Sequence, residues 1–377
     1  MKDFIKYIGI FFIRTIVRFF YIVPVKEDRV IISCYLGTQY AGSPKVISEY
    51  IREWGKGKYE IIWAFKNKDD FAFLKDYGIK TVGYYSVKRL FLEATAKYCI
   101  DNAAGCFGWF PSRKRQYHID TWHGGGCYKT DGILEKRGKF ALKRLLFHIH
   151  ETTHMVSSSS FFSRETLRNA LLYQGRILEI GMPRNDILFK AEKHAGIRRK
   201  LAAIYCLDMQ KIWILYAPTW REEGDVGSPD VERMKKAVAI RFGKEALFLK
   251  RTHKFMEAHA GQSVTDVTDY TDMQDLLCAC DILITDYSSS LWDFSFTFKP
   301  CFIYAPDVEI YHHNRGFYRD IYTWGFPVCK DDEELFHAIV RFDGQAHKEN
   351  MERHQKELGS FEKGNATESF YRYFFAK

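Results

Sequence analysis

The sequence predicts an α/β protein built as two successive halves, each a parallel sheet covered by helices, with an amphipathic helix at its start. Three observations predict it. Short apolar runs recur between amphipathic helical patterns along most of the chain, the runs fall into two series separated by a glycine/proline break, and 377 residues exceed what a single core ordinarily holds. Strands of a parallel sheet are buried on both faces, so they read as continuous apolar runs, and the helices between them are the crossovers that parallel pairing requires.

The opening stretch, MKDFIKYIGIFFIRTIVRFFYIVPV, is interrupted by Lys6, Arg14 and Arg18. It falls short of the roughly 20 apolar residues that span a bilayer, and no small-residue cleavage site follows, so it is expected neither to span nor to be removed. At about 100° per residue, Lys2, Lys6, Arg14 and Arg18 gather on one side and Ile5, Ile8, Phe12, Ile16, Phe19 and Val23 on the other. Such a helix suits an anionic lipid interface; the alternative is a helix packed on the protein's own core.

Five runs then read as buried strands: 29–35, 59–65, 79–85, 96–102 and 116–122. Between the first two, SPKVISEYIREW places Ser43 as a cap and Pro44 at the first helical position. A second series follows at 211–220, 245–253, 263–269, 281–287 and 300–306. Gly181 and Pro183 break the pattern between the series. The expected domains are therefore 1–25, the amphipathic helix; 26–182, the first α/β domain; and 183–377, the second, with its last helix a candidate to pack back on the first.

Composition excludes several classes. With 46% hydrophobic and 16% aromatic residues the chain is folded rather than disordered. The formal charge of +9 suits an anionic partner: a phosphate ester, a nucleic acid or a lipid surface. No RNP, zinc-finger or helix-turn-helix signature is present, so a nucleic-acid partner is not expected. The nine cysteines are scattered without a CxxC pair, which reads as reduced thiols in a cytosolic chain and neither a disulfide framework nor a zinc site.

Ligands of open α/β sheets bind beyond the carboxyl ends of the strands. Chemically distinctive residues gather at those points: His123 in HIDTWHGGG, Thr219 and Arg221 in YAPTWR, Arg251 and His253 in LKRTH, and Asp286, Ser288, Ser289 and Ser290 in ITDYSSSLWDFSF. Glycines beside His123 permit close approach of a ligand to the main chain. The serine cluster before an apolar helical pattern from Leu291 offers hydroxyls and unpaired amides to a phosphate, although serine and aspartate also serve as ordinary caps. Arg221 supplies a planar fork for bidentate phosphate contact. GMPRND adds Arg184 and Asn185 at the break between the halves.

Taken in order, TWHGGG, GMPRND, LYAPTWR, LKRTH, DLLCACDILITDYSSSLWDF and RGFYRD resemble the CDP-glycerol glycerophosphotransferase family of teichoic acid and capsule biosynthesis, over roughly residues 29–370. The resemblance implies the GT-B architecture, two Rossmann-like domains facing across a cleft. It implies a CDP-glycerol or related CDP-polyol donor, a lipid-linked saccharide acceptor, and a peripheral place on the cytoplasmic face of the cell membrane. Carried over, the family's catalytic histidines fall on His123 and His253. Donor phosphates fall at Ser288, Ser289 and Ser290 with Thr219, Arg221, Arg251 and Asp286 nearby, Asp286 reading as a turn or capping residue. Further substrate contacts fall at Gly124, Gly125, Arg184, Asn185, Thr271, Asp272 and Arg315. Where members often read WHGTPLK, this chain reads WHGGGCYKTDG, which leaves the acceptor open.

An acceptor hydroxyl must lose its proton as it attacks the donor's β-phosphorus, and a neutral imidazole suits that task, so His123 is expected to act as base. The transferring phosphoryl group and the departing CMP spread negative charge that His253, Arg221 and the serines would meet. No carboxylate cluster resembles a dedicated metal site; no cofactor is expected, and a loosely bound Mg2+ stays open. Glycerol against ribitol, one unit against many, and oligomeric state also stay open. Two rivals remain at this point, a glycosyltransferase of the same architecture and a non-catalytic membrane adaptor; release of CMP rather than UDP or GDP decides against the first.

Overall fold

A computed structural model describes residues 2–103, 111–136, 138–219, 227–252 and 264–376. The chain divides into two compact units. Met1–His123, Asp131–Asp186 and Phe361–Lys377 form the first; Gly124–Thr130 and Ile187–Ser360 form the second.

The first unit holds a seven-stranded sheet of β1 (Lys26–Ile32), β2 (Glu60–Phe65), β3 (Lys80–Gly83), β4 (Ala96–Asp101), β5 (Tyr117–Asp120), β6 (His154–Ser157) and β7 (Arg176–Glu179). The order is β3-β2-β1-β4-β5-β6-β7 and every pairing is parallel. Ile31, Ile62, Ala64 and Val82 from neighbouring strands meet Leu92 of the following helix in one core cluster, which explains why these strands read as unbroken apolar runs. The second unit holds β8 (Ile212–Tyr216), β9 (Ala246–Lys250), β10 (Val264–Asp266), β11 (Ile282–Thr285), β12 (Cys301–Tyr304) and β13 (Val328–Cys329). Its order is β10-β9-β8-β11-β12-β13, again all parallel. Ile214, Phe248, Ile284 and Phe302 pack there with Met234, Val238, Leu335 and Ile339 from covering helices.

All ten expected strands are present; β1 begins and ends three residues before its expected run, and the other nine are shorter than theirs. Strands β6, β7 and β13 were not anticipated. Both sheets run third, second, first, fourth, fifth, sixth, so the direction of winding reverses between β1 and β4 in one and between β8 and β11 in the other. At such a point the two loops leave in opposite directions and open a crevice for ligand.

The first helix spans Lys2–Phe19 and is followed by a short turn at Phe20–Ile22. Ile10 and Val17 are buried, and Phe4 and Phe11 stack on Phe140 and Phe147 of the Lys139–Glu151 helix. The stripe expected to be apolar faces outward: Ile5, Ile8, Phe12 and Phe19 are exposed, Phe12 by 70% and Phe19 by 75%. Arg14 departs from expectation. Its guanidinium lies 2.7 Å from Glu151 Oε1, stands over the Phe147 ring and is 11% exposed, so it holds the helix to the fold and is not part of a free cationic face. Among described residues, no helix is long and apolar enough to cross a membrane.

The Ala366–Phe374 helix belongs to the first unit. Asp186 anchors its start, its carboxylate accepting the amides of Ala366 and Thr367 at 2.9 and 2.8 Å. Glu362 accepts from the Met182 amide and the Asn185 side chain, each at 3.0 Å. The division between units thus falls after Asp186, beyond the Gly181–Pro183 break.

Candidate active site

In the first unit the site forms over the β1/β4 reversal. Asn102 follows β4, Tyr35 follows β1, and His123 follows β5. The Asn102 side chain accepts the Tyr35 amide at 2.8 Å, and its carbonyl oxygen lies 2.9 Å from His123 Nδ1. A carbonyl only accepts, so Nδ1 carries the hydrogen and Nε2 is left with a lone pair, the tautomer a proton acceptor needs. Trp122 takes a left-handed backbone, φ 53°, an uncommon conformation for a bulky residue, held by its amide donating to Asp120 Oδ1 at 2.6 Å. That turn lays the Trp122 ring along the imidazole, centroids 5.0 Å apart. Arg184 is buried and donates to the His123 carbonyl at 2.6 Å, so ring and backbone of the histidine are both fixed while its edge stays exposed.

The division between units falls between His123 and Gly124, so the rest of the glycine motif is part of the second unit. There the segment is pinned along its length. Tyr128 shares a 2.9 Å hydrogen bond with His354, Tyr318 donates its amide to the Tyr128 carbonyl, and Thr130 bonds the carbonyls of Arg315 and Gly316. Burial pushes the His354 imidazole down to about 4 and the Tyr128 phenol well up, so that bond joins two neutral groups. The glycines have separate reasons. A Cβ on Gly124 would lie 2.7 Å from Ser289 Oγ; Gly126 has φ 78° and a Cβ there would lie 2.8 Å from Trp292 Cβ. Gly125 is buried. The segment therefore rests directly on the serine turn and the short helix Ser290–Ser295 that follows it.

That turn lies at the β8/β11 reversal of the second sheet. Asp286 is buried after β11, and both its carboxylate oxygens accept the Thr219 amide at 2.9 Å, with the Thr219 hydroxyl at 2.6 Å. Asp286, expected as a turn or capping residue near the donor phosphates, bridges the two loops of the crevice through Thr219. Ser288 Oγ accepts the Ser290 amide at 3.3 Å, while the buried Ser290 Oγ has no hydrogen-bond partner among the described residues. Ser289 stands at the helix start without a side-chain cap bond.

Several expected substrate contacts have structural tasks. Asn185 is fully buried against Glu362. Asp272 caps the Met273–Ala279 helix through the Gln274 amide, and the Thr271 carbonyl accepts from Arg251 at 3.5 Å. Arg251 follows β9 and lies 2.8 Å from Met273 Sδ. The Arg315 guanidinium reaches the Thr130 carbonyl at 3.4 Å, so it steadies the glycine segment. Arg221 and His253 lie outside the described residues. Asn102, which fixes the histidine tautomer, was missed; its position immediately after a strand, at the same edge of the sheet, was the available signal.

The chain resembles known proteins over nearly its whole length. It is 28% identical over 371 residues to a teichoic acid poly(glycerol phosphate) polymerase of Bacillus spizizenii, covering 92% of this chain and 91% of that one. It is 27% identical over 333 residues to a teichoic acid glycerol-phosphate transferase of Staphylococcus aureus, covering 82% of each. A solved structure of the wall teichoic acid polymerase TagF shares the fold, with a TM-score of 0.82 at 23% identity over 100% of this chain and 97% of that one. A family model matches residues 15–376, and the chain belongs to the CDP-glycerol:poly(glycerophosphate) glycerophosphotransferase family.

Proposed function

We propose that this enzyme transfers glycerol phosphate from CDP-glycerol to a hydroxyl of a lipid-linked acceptor in teichoic acid synthesis, releasing CMP, with His123 as the base. The reaction class and donor follow from the family. The residue roles rest on one observation: the residues able to do this chemistry stand at the winding reversals of both sheets, an oriented imidazole at one and an unpartnered serine hydroxyl beside the Thr219–Asp286 bridge at the other. Two parallel units of this winding support a GT-B reading. His123 Nε2 takes the acceptor proton as the hydroxyl oxygen attacks the β-phosphorus; the bond to the CMP oxygen breaks and CMP departs. Ser288, Ser289, Ser290 and Thr219 hold donor phosphates, joined by Arg221, Arg251 and His253. These groups meet the developing charge without a resident metal, so turnover is expected to persist in EDTA.

The test is CMP release from CDP-glycerol with a lipid-linked disaccharide acceptor, set beside CDP-ribitol and UDP-sugars. CMP release with CDP-glycerol is expected; UDP release alone would replace this reading with a glycosyltransferase.

The enzyme works, on this reading, at the cytoplasmic face of the membrane, docked through the exposed stripe of its first helix. Ile5, Ile8, Phe12, Phe19 and Ile22 project outward, an apolar surface costly to leave in water, and Lys6 and Arg18 are exposed beside it. Lys6→Gln with Arg18→Gln should lower co-sedimentation with anionic vesicles, increasingly so at low salt, and leave the melting temperature unchanged. Arg14→Gln should do the reverse, costing about 3 kcal/mol of stability by stranding the part-buried Glu151. Equal vesicle binding by wild type and the Lys6/Arg18 variant would remove the electrostatic part of the docking.

A further inference from the structure

The helix after β6 is wound differently from the others. Over Phe162–Ala170 it is a π-helix, with the Leu171 amide reaching back to the Thr166 carbonyl, a five-residue step. Extended π-winding is rare and concentrates at functional sites. With i→i+5 bonds a turn takes more than four residues, so side chains four apart stack in a nearly straight row instead of drifting around the helix. Arg164 and Arg168 lie on that row, and Ser160 stands four residues ahead of Arg164, before the π-wound segment. They line, with Ser163 and with Arg176, Ile177 and Glu179 of the edge strand β7, an open groove of about 560 Å³.

Three guanidiniums converge on the groove with only part of their donor capacity used. Arg164 is bonded to its neighbour Glu165, Arg168 to the Tyr173 carbonyl, and Arg176 to the Tyr373 hydroxyl. Each fork has five donors, so every one retains N–H groups for a further acceptor. The two carboxylates at hand are held: Glu165 by Arg164 and Asn169, and Glu179 by the Ser163 hydroxyl. The groove also has a direction. Its Ser160–Ser163 end lies at the carboxyl edge of the sheet, the edge at which His123 follows β5, and its Arg176 end lies at the opposite edge. Strands β5, β6 and β7 are consecutive neighbours, so at the usual interstrand spacing the groove begins about 10 Å from β5.

We infer that this groove binds the phosphodiester backbone of a polyol-phosphate chain, the part of an acceptor or product already carrying transferred units. The inference rests on the transferase reading above and adds a second anion site to it. Two arginines a helical turn apart and a third on the adjoining strand match a ligand with a charge at every repeat, which a single nucleotide phosphate is not. The enzyme would then favour acceptors carrying several units over those carrying none.

The probe is a fluorescent tri(glycerol phosphate) whose anisotropy is measured without donor, beside a neutral trisaccharide, inorganic phosphate and oligothymidylate. Arg164→Gln/Arg168→Gln/Arg176→Gln should bind the oligomer about tenfold or more weakly and with a shallower salt dependence, and the corresponding triple Lys variant should keep most of the affinity. Arg164→Gln alone, whose side chain meets only residues of its own helix, Glu165 and the Phe161 ring, among the described residues, should show a smaller loss in the same direction with an unchanged melting curve. CMP release with an acceptor bearing no glycerol phosphate should be the same in wild type and variants. Equal oligomer binding by wild type and the triple Gln variant would overturn the groove and leave the transferase reading intact. Arginine-dependent binding of oligothymidylate but not of the glycerol-phosphate oligomer would overturn it as well. Absence of CMP release in the wild type would strike the transferase reading itself.

Discussion

His123→Ala is expected to lower CMP release by about 10²–10⁴-fold while leaving CDP-glycerol affinity nearly unchanged. The reason is positional. The Asn102 carbonyl takes the Nδ1 hydrogen, Arg184 holds the residue's own carbonyl, and Trp122 lies along the ring, so the imidazole is oriented in the tautomer whose Nε2 accepts a proton. Nothing in that arrangement is suited to grip a diphosphate, and loss of the side chain removes a proton acceptor without disturbing the serine turn of the second unit. Single-turnover chemistry and titration calorimetry with CDP-glycerol separate the two quantities. A collapse of donor affinity with chemistry preserved at saturating donor would show that His123 binds the donor and is not the base.

Gly126→Ala should destabilise the protein by about 2–5 kcal/mol and lower activity with it. A left-handed backbone costs a side chain roughly 1–2 kcal/mol. The new methyl would also lie 2.6 Å from the Tyr128 ring and 2.8 Å from Trp292 Cβ, a fully buried residue that has no room to retreat, and overpacking of this kind typically adds about 1–3 kcal/mol. Gly124→Ala should behave differently. Its backbone is unstrained and its overlap is with the Ser289 side chain, so the expected loss is in donor affinity more than in melting temperature. Chemical denaturation beside donor titration distinguishes the two, and a Gly126→Ala protein as stable as wild type would show that the segment is not seated on Trp292 as described.

The fold was legible where burial is two-sided. Runs such as VII in β1, IIWAF in β2 and ILIT in β11 are apolar throughout because helices cover both faces of the sheet. Strand β7, RILE, lies at the sheet edge with only Leu178 buried and β13 has two residues, so neither presents a run to detect; β6, HMVS, is buried throughout but begins with a histidine and ends with a serine, leaving two apolar residues between them. The π-winding of Phe162–Ala170 was invisible because no residue type demands it. At the site, His123 and the serine turn were legible from their neighbours in sequence. Their partners were not: Asn102 precedes His123 by 21 residues and Thr219 precedes Asp286 by 67, and only the sheet order brings each pair together. In the first helix the period could not say which side met the protein: Arg14, expected on the cationic side, faces Glu151.

The polypeptide passes from one unit to the other after His123, Thr130, Asp186 and Ser360. On the ribosome this order has a price in time. Strand β4 emerges early, but the Tyr98 hydroxyl bonds the Phe374 carbonyl and Tyr59 bonds that of Phe375, so the amino edge of the first sheet waits until Phe374 and Phe375 have been made. At roughly 5–20 residues per second that delay is some tens of seconds, during which tyrosines destined for burial are open to solvent and to chaperones. A nascent chain released before Phe361 would lack both Glu362 and the helix anchored by Asp186. Chains that stop before Phe361 therefore carry an unfinished first unit.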